Sequence, residues 1–339
     1  MSGTPIGVGL LGLGTVGAAV AHALVEQEED ILHQLGRPVR IAAVLERGPE
    51  RAARADLPGD LIRTDGAAVV SDPSVHIVVE VLGVVEPART LVDRALRAGK
   101  PVVTANKELL ARHGGALFPL AMAERAPLLC EASVGGGIPL FAALRQVRAA
   151  NRITAFRGII NGTTNFILSA MTEQGTAYAD ALAEAQRLGY AEPDPTADVE
   201  GYDALYKACV LAQACFGTAV SLESVDRTGI TGVTADAIAA ARGAGEVVKL
   251  LARGTCADNV VRLSVAPTRV LAASPLGSTS ANYNAIELTG DRVGPVLLVG
   301  QGAGPRPTAA AILSDIVDAA RVVLGTPPDP YFVHLGGTQ

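Results

Sequence analysis

Apolar and polar positions change their period part-way along this chain. Unbroken apolar runs occupy residues 6–11 (IGVGLL), 39–47 (VRIAAVLER), 76–83 (HIVVEVLG), 101–106 (PVVTAN) and 126–132 (APLLCEA). Runs without polar alternation predict strands buried on both faces. The stretches between them, such as 15–27 (TVGAAVAHALVEQ) and 87–100 (PARTLVDRALRAGK), carry the spacing of helices packed on one side. Strand and helix in alternation predict an α/β fold with a Rossmann-like, doubly wound parallel sheet.

Beyond residue 132 the pattern is different. A glycine turn enters an amphipathic helix within 133–151, and 153–175 reads as strand, polar turn and helix, with Thr163 as the expected N-cap. A helix over 178–188 carries Asp180 in its first turn and ends at Gly189 as C-cap. The segment 201–216 (GYDALYKACVLAQACF) predicts a helix with Leu205, Cys209 and Ala212 on one stripe. Strands over 246–255, 259–270, 282–290 and 294–300 predict a mostly antiparallel sheet with helices on one face. The same sheet could also carry a dimer interface. A last glycine turn and amphipathic helix, within 300–325, is expected to pack back on the first domain. The expected organisation is a nucleotide-binding domain over 1–132 with 305–325, and an α+β domain for substrate and dimerisation over 133–304.

Composition narrows the function classes. The 339 residues are 49% hydrophobic and 18% charged, an ordinary globular balance that excludes disorder. A net charge of −6 with no basic stripe argues against nucleic acid. No apolar run reaches the roughly 20 residues of a membrane span. The start, MSGTPIGVGLLGLG, lacks a signal-peptide pattern. The four cysteines have no framework spacing and the five histidines form no metal-ligand pairs, so a reducing cytoplasm is expected. Only Lys100, Lys107, Lys207 and Lys249 among the 28 basic residues are lysine. Against such an arginine bias, a lysine can do what a guanidinium cannot: lose its proton in a buried site.

Two overlapping G-x-G-x-x-G matches lie near the start, and only the second follows an apolar strand and opens a helix. In that one, Gly12 permits a tight turn, Gly14 lets backbone approach a pyrophosphate, and Gly17 lets helix and strand pack closely. Thr15 and Val16, between them, face the same phosphates at the helix N-terminus. At the carboxyl ends of later strands, Gly83, Thr104 and Asn106 with Lys107 are expected along the cofactor cleft. The second strand ends in Glu46 and Arg47. The first suits the ribose hydroxyl of NAD and the second the 2′-phosphate of NADP, so the choice stays open.

The other chemically loaded stretch is AEPDPTADVEGYDALYK, 191–207. Asp203 and Lys207 are four apart on one helix face, acid first. The same spacing describes an exposed ion pair worth a few tenths of a kcal/mol. On an otherwise apolar helix, partial burial and a neighbouring carboxylate can instead set an ammonium to trade protons near neutrality.

Taken together, GLGTVG, VVTANKELLA, CEASVGGGIPL, GIINGTTNFIL, RLGYAEPDPTADVEGYDALYK and GQGAGPRPTAAAILSD cover nearly the whole chain and resemble homoserine dehydrogenase. The resemblance implies NADPH- or NADH-dependent reduction of aspartate 4-semialdehyde to L-homoserine, and the reverse, by a cytoplasmic homodimer. It implies Lys207 as proton donor with Asp203 as its partner, and Lys107 as a second lysine where cofactor and substrate meet. Gly189 and Glu192 would contact substrate, Glu192 at the amino group, with Asp198 behind Lys207. Thr104 and Gly304 would be further cofactor contacts. Glu131, Val134, Gly136 and Ile138 match the family's loop for an alkali cation, Na+ or K+, bound mostly through backbone carbonyls. Asp194 and Glu200 are left as solvated loop charges. Two departures stand out: no amino-acid-sensing ACT domain follows the last helix, so threonine feedback through one is not expected, and Tyr206 replaces an expected His. Two rival readings are an enzyme using Cys130 as nucleophile, which needs a nearby His base, and a non-catalytic dinucleotide sensor, which would not need Asp203, Lys107 and Lys207.

Overall fold

The computed structural model describes residues 3–48 and 57–327. The chain divides into two compact units, one of residues 1–137 with 304–339 and one of residues 138–303.

The first unit is built on a six-stranded sheet. β1 (Ile6–Leu11) is buried at every position and leads into α1 (Thr15–Glu26) and α2 (Glu28–Leu35). β2 (Val39–Leu45), β3 (Ile62–Arg63), α3 (Gly66–Ser71), β4 (Ile77–Glu80), α4 (Ala88–Arg97), β5 (Val102–Thr104), α5 (Lys107–Ala123) and β6 (Leu128–Leu129) follow. The strand order is β3-β2-β1-β4-β5-β6, and all pairs are parallel. The chain order therefore reverses between β1 and β4, and ligands of such sheets bind beyond the carboxyl ends of the strands at that point.

The expected strand over 126–132 shrinks to Leu128–Leu129. Ser133 bends the chain out of the sheet: its N–H and its hydroxyl both donate to the Cys130 carbonyl, at 2.9 and 2.6 Å, closing a 3₁₀ turn over Glu131–Ser133.

In the second unit, α6 (Leu140–Arg148), β7 (Ile153–Ile159), α7 (Gly162–Gln174), α8 (Tyr178–Arg187), the short α9 (Thr196–Val199) and α10 (Tyr202–Phe216) precede β8 (Asp226–Arg227) and α11 (Ala235–Gly243). Two hairpins then complete a sheet of order β12-β11-β7-β9-β10-β8. β9 (Glu246–Ala257) and β10 (Val260–Leu271) are joined by Asp258 and Asn259, both in the left-handed region, the two-residue turn that matches strand twist. β11 (Tyr283–Gly290) and β12 (Gly294–Gln301) form the other. Only the β8–β10 pair is parallel.

α10 is not the one-sided helix its stripe predicts. Every residue from Asp203 to Cys215 is buried except Tyr206, because α9 and strands β7, β9 and β10 pack around it. A charged pair near its start is thus held inside protein. The chain's last described helix, α12 (Pro305–Val323), belongs to the first unit and packs along α1. Its Ile312, Ile316, Ala319 and Ala320 share one core with Leu10, Val20 and Leu24. Burying a side chain such as Ile312 stabilises by about 1.5–3 kcal/mol. Among the described residues no helix is long and apolar enough to cross a membrane.

Candidate active site

α10 starts after Gly201, whose left-handed conformation turns the chain into the helix. Asp203 lies in the first turn, where the helix dipole favours a carboxylate. One turn later Lys207 Nζ stands 2.7 Å from Asp203 Oδ2, with side chains only 11% and 9% exposed. The exposed-pair reading is overturned. A buried ion pair contributes little net stability against an apolar replacement.

The pair is held from a second direction. Where β7 runs into α7, the Ile160 carbonyl accepts from Lys207 Nζ at 2.9 Å. The next residue, Asn161, caps α7: its Oδ1 accepts from Thr164 N–H at 2.8 Å. Its Nδ2 donates to Asp203 Oδ2 at 2.8 Å and to Asp198 Oδ1 at 2.7 Å. Burial, and then the charge of Asp203, push the Asp198 carboxyl above the usual carboxylate range. Asn161 was not anticipated; the motif's NGTT offers several capping residues, and the wrong one was favoured.

Thr163 is the one corrected. Its hydroxyl donates to the Tyr190 carbonyl at 2.6 Å, tying α7 to the turn that follows α8. That turn is made by Gly189 in the left-handed region, with its N–H on the Gln186 carbonyl at 3.0 Å. Tyr190 also meets Phe166 edge-on at 5.2 Å. Gln186 Nε2 holds the Glu192 carbonyl at 3.2 Å, which leaves the Glu192 carboxylate on an anchored, exposed backbone. Asp194 is a local turn-former whose Oδ1 accepts from the Thr196 hydroxyl at 2.6 Å, and that bond lowers its pKa. Glu200 is half-buried and accepts from the Thr231 hydroxyl at 3.0 Å, so it is less solvated than expected.

In the first unit, strand register gathers the predicted cofactor residues. Leu45, Leu11, Glu80 and Thr104 pair across β2, β1, β4 and β5, so the residues that follow them leave the sheet at one edge. Gly12 has φ +106°, and a Cβ on Gly17 would lie 2.1 Å from the Gly12 carbonyl oxygen. Around Gly14 a Cβ would meet nothing within 4 Å. No side chain caps α1 at Gly14, so Thr15, Val16 and Gly17 open the helix towards that space. This open, uncapped turn fits a pyrophosphate. Glu46 is buried at the end of β2, its Oε1 accepting from Arg47 N–H at 2.8 Å and Gly48 N–H at 2.7 Å, while Arg47 is exposed. Gly83 is left-handed with open space around it, and Gly304 has φ +119° where the chain enters α12. Lys107 is half-buried at the start of α5.

Glu80 is a second residue that was missed. It is wholly buried and accepts from Thr104 Oγ1 at 2.6 Å, Leu82 N–H at 2.8 Å and Asn106 Nδ2 at 3.4 Å. Burial raises its pKa. The signal was available: one acid inside the apolar run HIVVEVLG. Thr104, also fully buried, has its hydroxyl committed to Glu80 and to Asn106 N–H.

Glu131, Val134 and Gly136 are buried in the glycine turn, where Gly135 and Gly136 are both left-handed, and Asp315 Oδ2 accepts from Glu131 N–H at 2.8 Å. Ile138, the fourth expected cation ligand, falls in the second unit and its carbonyl accepts from Leu140 N–H at 2.7 Å. Among the described residues no cluster of His, Cys, Asp and Glu offers a site to a metal ion. Cys130 is unsuited to attack. Burial first, then the charges of Asp315 and Glu131, raise its thiol well above the ordinary range, and the thiolate is the nucleophile. The fourth lysine, Lys249, is 3% exposed and donates to Thr279 O at 2.7 Å, Asn165 Oδ1 at 3.0 Å and Ser169 Oγ at 3.3 Å.

The chain matches known proteins over nearly its whole length. Residues 139–317 match the family model described as homoserine dehydrogenase, and residues 12–131 match that of the homoserine dehydrogenase NAD binding domain. The homoserine dehydrogenase of Corynebacterium glutamicum is 42% identical over 324 residues, 94% of this chain and 73% of that protein. That of Bacillus subtilis is 41% identical, covering 92% of this chain and 72% of its own. The solved homoserine dehydrogenase of Thiobacillus denitrificans superposes with a TM-score of 0.91 at 43% identity, covering 96% of this chain and 76% of that one. A hyperthermophilic archaeal homoserine dehydrogenase in complex with NADPH superposes with a TM-score of 0.81 at 27% identity, covering 96% and 99%.

Proposed function

The chain belongs to the homoserine dehydrogenase family, and from that footing we propose that Lys207 moves the proton of the reaction and Asp203 holds Lys207 in place. The enzyme interconverts L-aspartate 4-semialdehyde and L-homoserine with a nicotinamide dinucleotide, and neither the sensor nor the cysteine-dependent alternative has support. When bound, the nicotinamide supplies the hydride for the carbonyl carbon, or takes it in the reverse direction. As the carbonyl oxygen gains the electron pair of the broken π bond, Lys207 gives it a proton and the alcohol forms. In reverse, the neutral amine of Lys207 takes the hydroxyl proton. The observation carrying this assignment is the burial of Lys207 with two of its ammonium protons already placed, on Asp203 and on Ile160 O. The third remains for a substrate oxygen.

Gly189 and the exposed Glu192 are assigned to the substrate, Glu192 to its ammonium, with Asp198 behind Lys207. Lys107 is assigned to catalysis and to substrate and cofactor contact on the family pattern. Gly12, Gly14, Thr15, Val16, Gly17, Gly83, Thr104 and Gly304 are assigned to the dinucleotide. Glu46, fixed by its own turn, suits the ribose hydroxyls of NAD and Arg47 the 2′-phosphate of NADP, and the faster coenzyme in the assay below decides between them. The loop of Glu131, Val134, Gly136 and Ile138 would hold Na+ or K+ through oxygens. The protein is proposed to act as a cytoplasmic homodimer.

The test is to mix the protein with L-homoserine and NAD or NADP and to follow reduced nicotinamide by absorbance. Lys207→Ala should lose about 10²–10⁴ in turnover while remaining folded, the size of a general-acid contribution. Folding is expected to survive because Asp203 keeps its bond from Asn161. Near-normal turnover in the folded variant would remove Lys207 from the role.

A further inference from the structure

Asn161 places one neutral carboxamide against two acids that lie 37 and 42 residues further along the chain. It is 4% exposed and all its bonding capacity is directed: Oδ1 caps α7, and the two N–H bonds of Nδ2 go to Asp198 and Asp203. Its neighbour Ile160 holds the ammonium of Lys207 by its carbonyl. Two successive residues therefore grip both members of the ion pair, the acid through a side chain and the base through the backbone.

We propose that Asn161 is a positioning residue for proton transfer: its amide separates Asp198 from Asp203 and aims Asp203 at Lys207, so that the third ammonium proton faces the substrate oxygen. The inference rests on the assignment of Lys207 above. An amide suits this position because it donates twice and carries no charge. With a carboxylate there, three acids would converge; with a shorter side chain, one acid would lose its donor.

Among the described residues, charged groups approach the cluster from several elements. Asp198 faces it from α9, and Asp203 and Lys207 face it from α10. On β9, Lys249 is turned to Asn165 and Ser169 of α7. On β8, Arg227 lies 3.7 Å over the Tyr202 ring and donates to the Glu200 carbonyl. Glu223, in the 3₁₀ turn Leu222–Ser224, acts on the Cys209 thiol, and the carboxylate of Glu200 takes the Thr231 hydroxyl. Tyr178 begins α8 and Tyr190 follows it, Tyr202, Tyr206 and Cys215 lie on α10, and Arg157 and Arg253 lie on β7 and β9.

Two variants of the full-length protein test the proposal. Asn161→Asp keeps size and capping oxygen but exchanges the donor for a charge. Its kcat for homoserine oxidation should fall about tenfold to a hundredfold, the effect of a small misplacement at the reacting centre. The acidic limb of its kcat–pH profile should move up by about one unit, because an added negative charge makes the cluster release its proton later. Asn161→Ser keeps an N-cap but cannot reach both acids, so kcat should drop about tenfold with KM for homoserine within about threefold. Thermal melting and circular dichroism check that both variants are folded. Loss of activity in Asn161→Asp with an unmoved pH profile would reduce Asn161 to a structural cap and overturn the proposal. So would wild-type turnover in both variants. If Lys207→Ala is inactive and the Asn161 variants behave as wild type, only this inference fails; if Lys207→Ala is active, the assignment beneath it fails.

Discussion

Lys249 shows what a single buried charge does when no carboxylate lies within bonding distance. Its three donors meet two side-chain oxygens and one carbonyl, and burial lowers its pKa to about 8, against a smaller opposing effect of Glu173. In the unfolded chain the same amine keeps its proton to about pH 10.4. Between these values the unfolded state binds more protons, so stability due to this group rises with pH across the window and is lost as pH falls through about 8. Comparing wild type with Lys249→Met by urea unfolding at several pH values should show the wild type gaining about 2–3 kcal/mol relative to the variant from pH 8 to above 10. A constant difference would mean the buried amine does not titrate there. At this scale the sequence was only partly legible. The four-residue spacing of Asp203 and Lys207 was plain, but spacing cannot tell whether other elements cover the pair. Asn161 was hidden for a related reason: its partners come from α9 and α10, and nothing local in NGTT distinguishes a cap that also bridges two distant acids.

The turn after β1 separates packing from ligand binding between glycines only three residues apart. At Gly17 an added methyl would lie 2.1 Å from backbone, so Gly17→Ala must push α1 off the sheet. Overpacking of this kind costs about 1–3 kcal/mol, and the melting temperature should fall with the affinity for dinucleotide. At Gly14 the added methyl meets no protein atom. Gly14→Ala should therefore melt like wild type yet bind dinucleotide at least tenfold more weakly, read by titration of reduced-nicotinamide fluorescence. Equal affinity in Gly14→Ala would place the pyrophosphate elsewhere. Strand and helix positions in this half were legible because buried parallel strands leave long apolar runs. The short β6 was not, since an apolar run cannot show that Ser133 will close a 3₁₀ turn on Cys130.

Over the whole molecule, alternation of strand and helix was enough to predict the parallel sheet, while the order of the second sheet could not be foreseen. β7 pairs with β11 and β9, strands nearly a hundred residues or more beyond it, and no local pattern encodes such closures. That sheet is also where the proposed assembly can be tested. Val260, Leu271, Tyr283 and Val299 lie on its strands and Val293 in a hairpin turn, at 53%, 65%, 43%, 52% and 52% exposure. Beside β11 and β12, a cavity of about 400 Å³ is lined by Pro275, Tyr283, Leu297 and Val299 among others. Scattered apolar residues need no explanation, but Tyr283 and Val299 share one face of β11 and β12, and that face would suit the proposed homodimer. A second copy of the chain is the occupant the proposed homodimer supplies, and a stable interface would bury about 1,200–2,000 Å² in total. Wild type should then sediment at twice the mass of one chain at micromolar concentration. Val299→Lys, which sets a charge on the apolar strand β12, should shift the protein to the monomer without lowering its melting temperature at dilute concentration, since in one chain that side chain stands in solvent. A wild-type monomer that turns over homoserine would refute the assembly, and a Val299→Lys dimer would place the interface away from this sheet.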